Sequence, residues 1–186
     1  MDNTVDYRAV ILNGGSSSGK TDISHRLRTI LPDPWLGIGT DTFVDALPPA
    51  FDDGGAAGGL VVGPGGEVTV GEEFRRLEAA WTTGVAAMVR AGARVVVDEV
   101  FLGGAASQRR WCDALTAAGV PDVLWVGVRC DPEVAAGREA ARGDRAAGMA
   151  ASQAESVHRG IAYDLVVDTT RAEALDCARI IARRLG

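Results

Sequence analysis

The sequence predicts an α/β fold in which a five-stranded parallel sheet is covered by helices on both faces. Two observations carry the prediction. Short, continuously apolar runs alternate with longer segments whose apolar residues recur at helical spacing, and strands buried on both faces read as unbroken apolar runs. Between the first such run and the first helical segment lies Gly14-Gly15-Ser16-Ser17-Ser18-Gly19-Lys20-Thr21, a match to G-x-x-x-x-G-K-[ST].

The elements follow in order. Residues 9–13, AVILN, form the first strand, and Ile23, Leu27, Ile30 and Leu31 lie on one stripe of the helix that follows the glycine-rich turn. Pro32-Asp33-Pro34 stops that helix. Residues 35–40 read as a second strand ending at Asp41, followed by a helical turn through Phe43, Val44 and Leu47. Residues 48–70 are glycine-rich and irregular, with a hairpin in which 60–62 and 67–70 flank Gly63-Pro64-Gly65-Gly66. Residues 72–91 make a long helix with Phe74, Leu77, Trp81, Val85 and Met88 on one stripe. Residues 94–99 are a buried strand ending in carboxylates, and a helix through Trp111 and Leu115 ends near Gly119. A strand at 123–128, a helix at 131–142, a further helix to about Arg159, a last strand at 165–168 and a closing helix at 171–185 complete the chain. The pattern contains no internal repeat, and 1–186 reads as a single domain.

The glycine-rich stretch makes this a P-loop NTPase fold. A strand feeding such a turn into a helix aims backbone N–H groups and the positive end of a helix dipole at one point, which suits a phosphate. Gly14, Gly15, Ser16, Ser17, Ser18 and Gly19 are the cradle, Lys20 reaches the outer phosphates, and the Thr21 hydroxyl is a Mg²⁺ ligand. ATP and Mg²⁺ are the expected cofactors. Of nineteen Lys and Arg residues, Lys20 is the one lysine. Its compact ammonium on a flexible stem is not interchangeable with a planar guanidinium.

Composition narrows the partners. A net charge of −6 and a pI near 4.9 disfavour nucleic acid, whose binders rely on basic contacts to phosphates. No apolar run reaches membrane-spanning length, and residues 1–4 lack the basic and apolar regions of a signal peptide, so a cytoplasmic protein is expected. Cys112, Cys130 and Cys177, without C-x-x-C spacing, read as buried reduced thiols. A homo-oligomer is compatible with the sequence.

Four further positions carry chemistry. Asp98 follows Val95-Val96-Val97, where an acid at a strand end can hold Mg²⁺ or cap the next turn; metal binding is the favoured role, with Glu99 the substitute. Asp41, at the carboxyl edge of its strand, either takes the proton of an acceptor hydroxyl or caps the helical turn after it, and the residues alone leave both open. Arg138, Arg142 and Arg145 fall within one helix and the turn after it; they make residues 138–150 a lid that sets guanidinium groups against a transferring phosphoryl, or they face solvent, paired with Glu139 and Asp144. Asp168-Thr169-Thr170 is a candidate for the adenine edge.

With these residues identified, the chain resembles the chloramphenicol phosphotransferases over essentially its full length. The resemblance rests on Ile11 to Ser17 with Gly19-Lys20, on Leu31-Pro32 with Pro34-Trp35-Leu36, on Asp98 with Val100 to Ala105, and on Leu124 to Asp131. Gly137-Arg138-Glu139 with Ala141 to Arg145, and Tyr163-Asp164 with Asp168-Thr169-Thr170, match as well. It implies a fold related to nucleoside and shikimate kinases, ATP- and Mg²⁺-dependent phosphorylation of the primary hydroxyl of chloramphenicol, and Asp41 as the base. Residues 48–70 depart most from the family, and Thr21 stands where the family has serine. The acceptor is thus expected to be chloramphenicol or another small hydroxylated antibiotic or metabolite. A nucleotide-dependent switch is the other class; against it, a chain with one lysine has no [NT]-K-x-D guanine motif, and no D-x-x-G follows Asp98.

Overall fold

The computed structural model describes residues 5–51, 59–142 and 148–186. The strands of the main sheet are β1 (Ala9–Asn13), β2 (Trp35–Gly39), β5 (Arg94–Glu99), β6 (Val123–Arg129) and β7 (Leu165–Asp168), in the order β2-β5-β1-β6-β7 and all parallel. The remaining strands, β3 (Leu60–Val62) and β4 (Val68–Val70), pair antiparallel as the expected hairpin. The helices are α1 (Lys20–Ile30), α2 (Thr40–Asp45), α3 (Glu72–Arg90), α4 (Ala105–Ala117), α5 (Pro132–Arg142), α6 (Met149–Ser156) and α7 (Ala174–Leu185).

Alternation along β1 assigns the two cores. Val10 and Leu12 face one side, where α1 and α7 bury Ile23, Leu27, Cys177 and Ile181 against Val96, Leu124 and Val126. Ala9 and Ile11 face the other, where α3 and α4 bury Val85, Val89, Trp111 and Leu115 against Val95, Val97 and Phe101. Apolar burial of this kind, worth ~25 cal/mol per Å², fixes the register of each helix on its face. A third cluster ties the segment after β2 to α3: Phe43 meets Phe74 edge-on at 5.2 Å, Trp81 lies 5.7 Å from Phe43, and Leu60 and Val70 of the hairpin pack against them. The hairpin tip at Gly65 and Gly66 rests on Gly148 and Met149 at the start of α6.

The register brings the functional strand ends to one edge. Leu12 and Gly39 both pair with Asp98, and Asn13 pairs with Glu99 and Gly127. After β1 the chain crosses past β5 to reach β2, while β6 flanks β1 on the other side. The carboxyl end of β1 is therefore a topological switch point, where open α/β sheets bind ligands.

Two expectations are corrected. β2 ends at Gly39, so Asp41 does not close the strand but is the second residue of α2, with Gly39 at the N-cap position. Cys112 is exposed and Cys130 partly so; only Cys177 is buried, because residue 112 falls on the outer face of α4.

Candidate functional site

The loop from Gly14 to Gly19 is held by backbone contacts that only its sequence permits. Gly14 N donates to Glu99 O at 3.3 Å, and a Cβ on Gly14 would lie 2.5 Å from Val128 O, so the loop leaves β1 in direct contact with both neighbouring strands. Ser17 at φ 57° and Gly19 at φ 87° adopt the left-handed conformation. Alternating handedness turns successive N–H groups inward and makes a nest for an anion. Inside it, the buried hydroxyls of Ser17 and Ser18 have no hydrogen-bond partner among the described residues.

A buried polar network supports the loop from behind. Asn13 Oδ1 accepts from Phe101 N at 2.8 Å, which fixes the amide so that Nδ2 donates to Val157 O at 2.9 Å and to Tyr163 Oη at 2.6 Å. The Tyr163 hydroxyl, already an acceptor, donates its proton to His158 Nδ1 at 2.6 Å. Burial, with the Arg129 and Lys20 charges, pushes His158 down to about 4, and burial raises the Tyr163 phenol. The imidazole is neutral, as the network requires. From the other side Thr169 Oγ1 donates to Ser18 O at 2.7 Å.

Lys20, Thr21 and Asp98 converge at the loop. Thr21 Oγ1 donates to Asp98 Oδ2 at 2.6 Å, and Lys20 Nζ lies 3.7 Å from Asp98 Oδ1 and 2.9 Å from Gly15 O. A hydroxyl and one carboxylate facing a phosphate nest match the donor set by which Mg²⁺ is held between protein and substrate phosphates. No cluster of three His, Cys, Asp or Glu side chains suited to a metal occurs among the described residues, as such a shared site requires none. Glu99 is the poorer metal ligand. Burial pushes its carboxyl up to about 8, with Glu78 and Asp98 adding to the effect, and its Oε2 is taken by Thr40 Oγ1 at 3.0 Å.

In front of the loop opens a cavity of about 730 Å³. It is lined by Ser16, Ser17, Gly19, Lys20 and Thr21 from the loop, by Asp98 from the end of β5, by Asp41 from the first turn of α2, and by Arg142 from the last turn of α5. Leu60, Val62 and Val68 of the hairpin, with Val44, Val100 and Leu102, give it apolar walls. The hairpin is thus one wall of the chamber. The expected site residues Lys20, Thr21, Asp41, Asp98 and Arg142 share this one space.

Arg138 is held elsewhere. Its guanidinium donates to Thr169 O at 2.8 Å, to Thr169 Oγ1 at 3.3 Å and to Cys130 Sγ at 3.4 Å, beside Gly19. Cys130 also borders a second cavity, of about 520 Å³. That cavity is lined by Arg129, Cys130, Asp131, Glu155, Asp168 and Thr170 among others, so both ends of the Asp168–Thr170 turn border it. Arg138 does not pair with Glu139. The buried Glu139 carboxylate instead accepts from Gly148 N at 2.7 Å and Ala150 N at 2.5 Å, tying α5 to α6. Arg145 and the rest of residues 143–147, the middle of the expected lid, lie outside the described residues.

Sequence reasoning gave no site role to Asn13, Gln153, His158 and Tyr163, and offered Glu139 only as a solvent-facing partner of the arginines. Asn13 alone had a local signal, a polar residue closing an apolar strand directly before the loop. The others act through contacts that no spacing rule reveals.

The fold is that of the P-loop kinases. A sugar kinase from Janibacter sp. HTCC2649 superposes with a TM-score of 0.69 at 20% identity, covering 96% of this chain and 94% of that one. The tunicamycin resistance protein of Deinococcus radiodurans gives 0.64 at 18% identity (97% and 96% covered). The Mycobacterium tuberculosis APS kinase in complex with AMPPNP and APS gives 0.61 at 14% identity (97% and 98% covered). Residues 7–186 match the family described as chloramphenicol phosphotransferase-like protein, and the chain belongs to that family. A provisionally named O-phosphotransferase of M. tuberculosis strain H37Rv is 31% identical over 191 residues, covering 92% of this chain and 79% of that protein. No helix among the described residues is long and apolar enough to cross a membrane.

Proposed function

We propose that this protein is an ATP- and Mg²⁺-dependent O-phosphotransferase that phosphorylates the primary hydroxyl of chloramphenicol and so confers resistance to it in the cytoplasm. The observation that carries the reading is the shared chamber: phosphate loop, Lys20, Thr21, Asp98, Asp41 and Arg142 all line one cavity of about 730 Å³. The family match and the kinase-fold neighbours support phosphoryl transfer; the acceptor rests on the family description.

The loop amides and Lys20 bind the triphosphate and neutralise charge on its outer phosphates. Thr21 and Asp98 would hold Mg²⁺, which supplies further charge neutralisation when bound. Asp41 orients the acceptor hydroxyl and receives its proton as the phosphoryl moves across. In a loose transition state the orienting task is the larger one. Arg142 steadies the transferring group from α5, and Arg145 joins it in this proposal. Arg138, beside Gly19 and Thr169, acts from the nucleotide side, and Asp168–Thr170 meets the base. The apolar hairpin and Val44, Val100 and Leu102 pack the acceptor and exclude water.

A second acceptor class, a polyhydroxy or acidic metabolite, is favoured by Arg28. It lines the same cavity with its guanidinium against Gly37, and its buried Nε has no partner among the described residues. The test is to incubate the purified protein with Mg²⁺-ATP and a panel of chloramphenicol, other hydroxylated antibiotics and sugar acids, and to read products by mass spectrometry. Phosphorylated chloramphenicol supports the first acceptor. Phosphorylation of a sugar acid alone replaces it with the second, and ATP hydrolysis unresponsive to every acceptor overturns both.

A further inference from the structure

Gln153 lies on α6, far in sequence from the loop, yet it is 4% exposed and packed directly on the loop. A Cβ on Gly15 would sit 3.1 Å from Gln153 Cβ, so the glycine admits the side chain. Its Oε1 accepts from Ser16 N at 2.8 Å. A backbone N–H can meet only the amide oxygen, so this bond fixes which end of the amide faces where. Nε2 is left without a hydrogen bond among the described residues, and Gln153 lines the chamber shared by Lys20, Asp98, Asp41 and Arg142.

The position along α6 is informative. Ala154 and Glu155, the next two residues, line the second cavity, on the side of Cys130 and Asp168, while Gln153 and Met149 line the first. α6 therefore runs along the division between the two spaces, with Gln153 on the phosphoryl side. Ser16, whose N–H Gln153 engages, lines that first cavity as well, together with Asp41 and Arg142.

We propose that Gln153 is a further catalytic residue: with Oε1 held by the Ser16 amide, its Nε2 donates a hydrogen bond to a non-bridging oxygen of the terminal phosphoryl group. This rests on the reading of the chamber as a nucleoside triphosphate site, but not on the identity of the acceptor. A neutral donor suits the place. It holds one orientation, since a flipped amide would set N–H against N–H at Ser16, and it adds no charge beside Lys20 and Arg142.

The test compares Mg²⁺-ADP with Mg²⁺-AMPPNP by titration calorimetry in the full-length protein and in Gln153→Glu and Gln153→Met. Glutamate keeps an acceptor for Ser16 N but turns an oxygen toward the phosphoryl; methionine keeps the volume and removes the donor. AMPPNP affinity is expected to fall by roughly 10- to 100-fold, the range for a lost hydrogen bond to a charged group, with ADP affinity within about threefold of wild type. Equal weakening of both nucleotides would make Gln153 a prop for the loop and overturn the proposal, as would unchanged binding of both. Wild-type protein that binds both nucleotides but phosphorylates no acceptor would sink the function proposed above and leave this inference standing. Wild-type protein that binds neither would sink both.

Discussion

His158 makes the stability of this protein depend on pH in a window where few other groups titrate. Its ring is buried, accepts the Tyr163 proton at Nδ1, and has its pKa pushed down from 6.5 to about 4 by burial and by the Arg129 and Lys20 charges. The unfolded chain binds a proton here below about pH 6.5, whereas the native chain resists it until about pH 4. At this site the unfolded state therefore holds more protons in between, and the His158 contribution to stability falls as pH falls; Glu99, raised to about 8, acts in the opposite sense but equally in wild type and in a His158 variant. At about 1.4 kcal/mol per unit, the full loss is about 3 kcal/mol, of which about 2 kcal/mol is gone by about pH 5. His158→Gln keeps an acceptor for Tyr163 without the titration. Urea unfolding of wild type and variant, at about pH 7.5 and about pH 5, should show the stability difference between them shifting in the variant's favour by about 2 kcal/mol on acidification. Parallel pH profiles would refute the reasoning, because they would mean that the His158 ring takes up its proton as readily in the folded chain as in the unfolded one.

Other outcomes follow from the same geometry. Asp41→Asn should lower kcat by roughly 10²- to 10⁴-fold with nucleotide affinity unchanged, as read by steady-state kinetics and calorimetry; turnover at the wild-type rate would remove Asp41 from the chemistry. Gly14→Ala places a methyl 2.5 Å from Val128 O, and should cost about 1–3 kcal/mol of stability and displace the loop, measured by denaturation and by loss of ATP binding. Glu139→Ala leaves Gly148 N and Ala150 N without their shared acceptor, and should destabilise the fold by about 2 kcal/mol while raising hydrogen exchange at the start of α6.

The sheet and its helices were legible because each rests on a local pattern. Val95-Val96-Val97, Val10-Ile11-Leu12 and Leu124 to Val128 are strands buried on both faces, and each lacks the alternation of a half-solvated one. The loop was legible for a different reason: a nest for phosphate needs particular residues at particular spacing, and Lys20 is the one lysine in the chain. Asp98 was placed correctly because a strand end fixes which sheet edge a residue reaches. What stayed hidden were pairings between distant residues. Nothing in the spacing of Asn13, His158 and Tyr163 announces that they meet, since the meeting depends on α6 and the turn before β7 folding back behind the loop. Gln153 was invisible for the same reason. Arg138 was grouped with Arg142 because positions four apart share a helix face, but they lie about one turn apart along α5, and Thr169 captures the first while the second lines the chamber. Asp41 moved from strand end to helix because β2 stops at Gly39, where the strand closes against the Asp98 backbone.

The central claim, that this chamber moves a phosphoryl group from ATP to a small alcohol, is tested most directly by ³¹P NMR of Mg²⁺-ATP with the protein, with and without chloramphenicol. The account predicts that adding the acceptor accelerates loss of the γ-phosphate signal and that an equal amount of a new phosphomonoester appears. Growth of inorganic phosphate alone, at the same rate whether or not an acceptor is present, would contradict it.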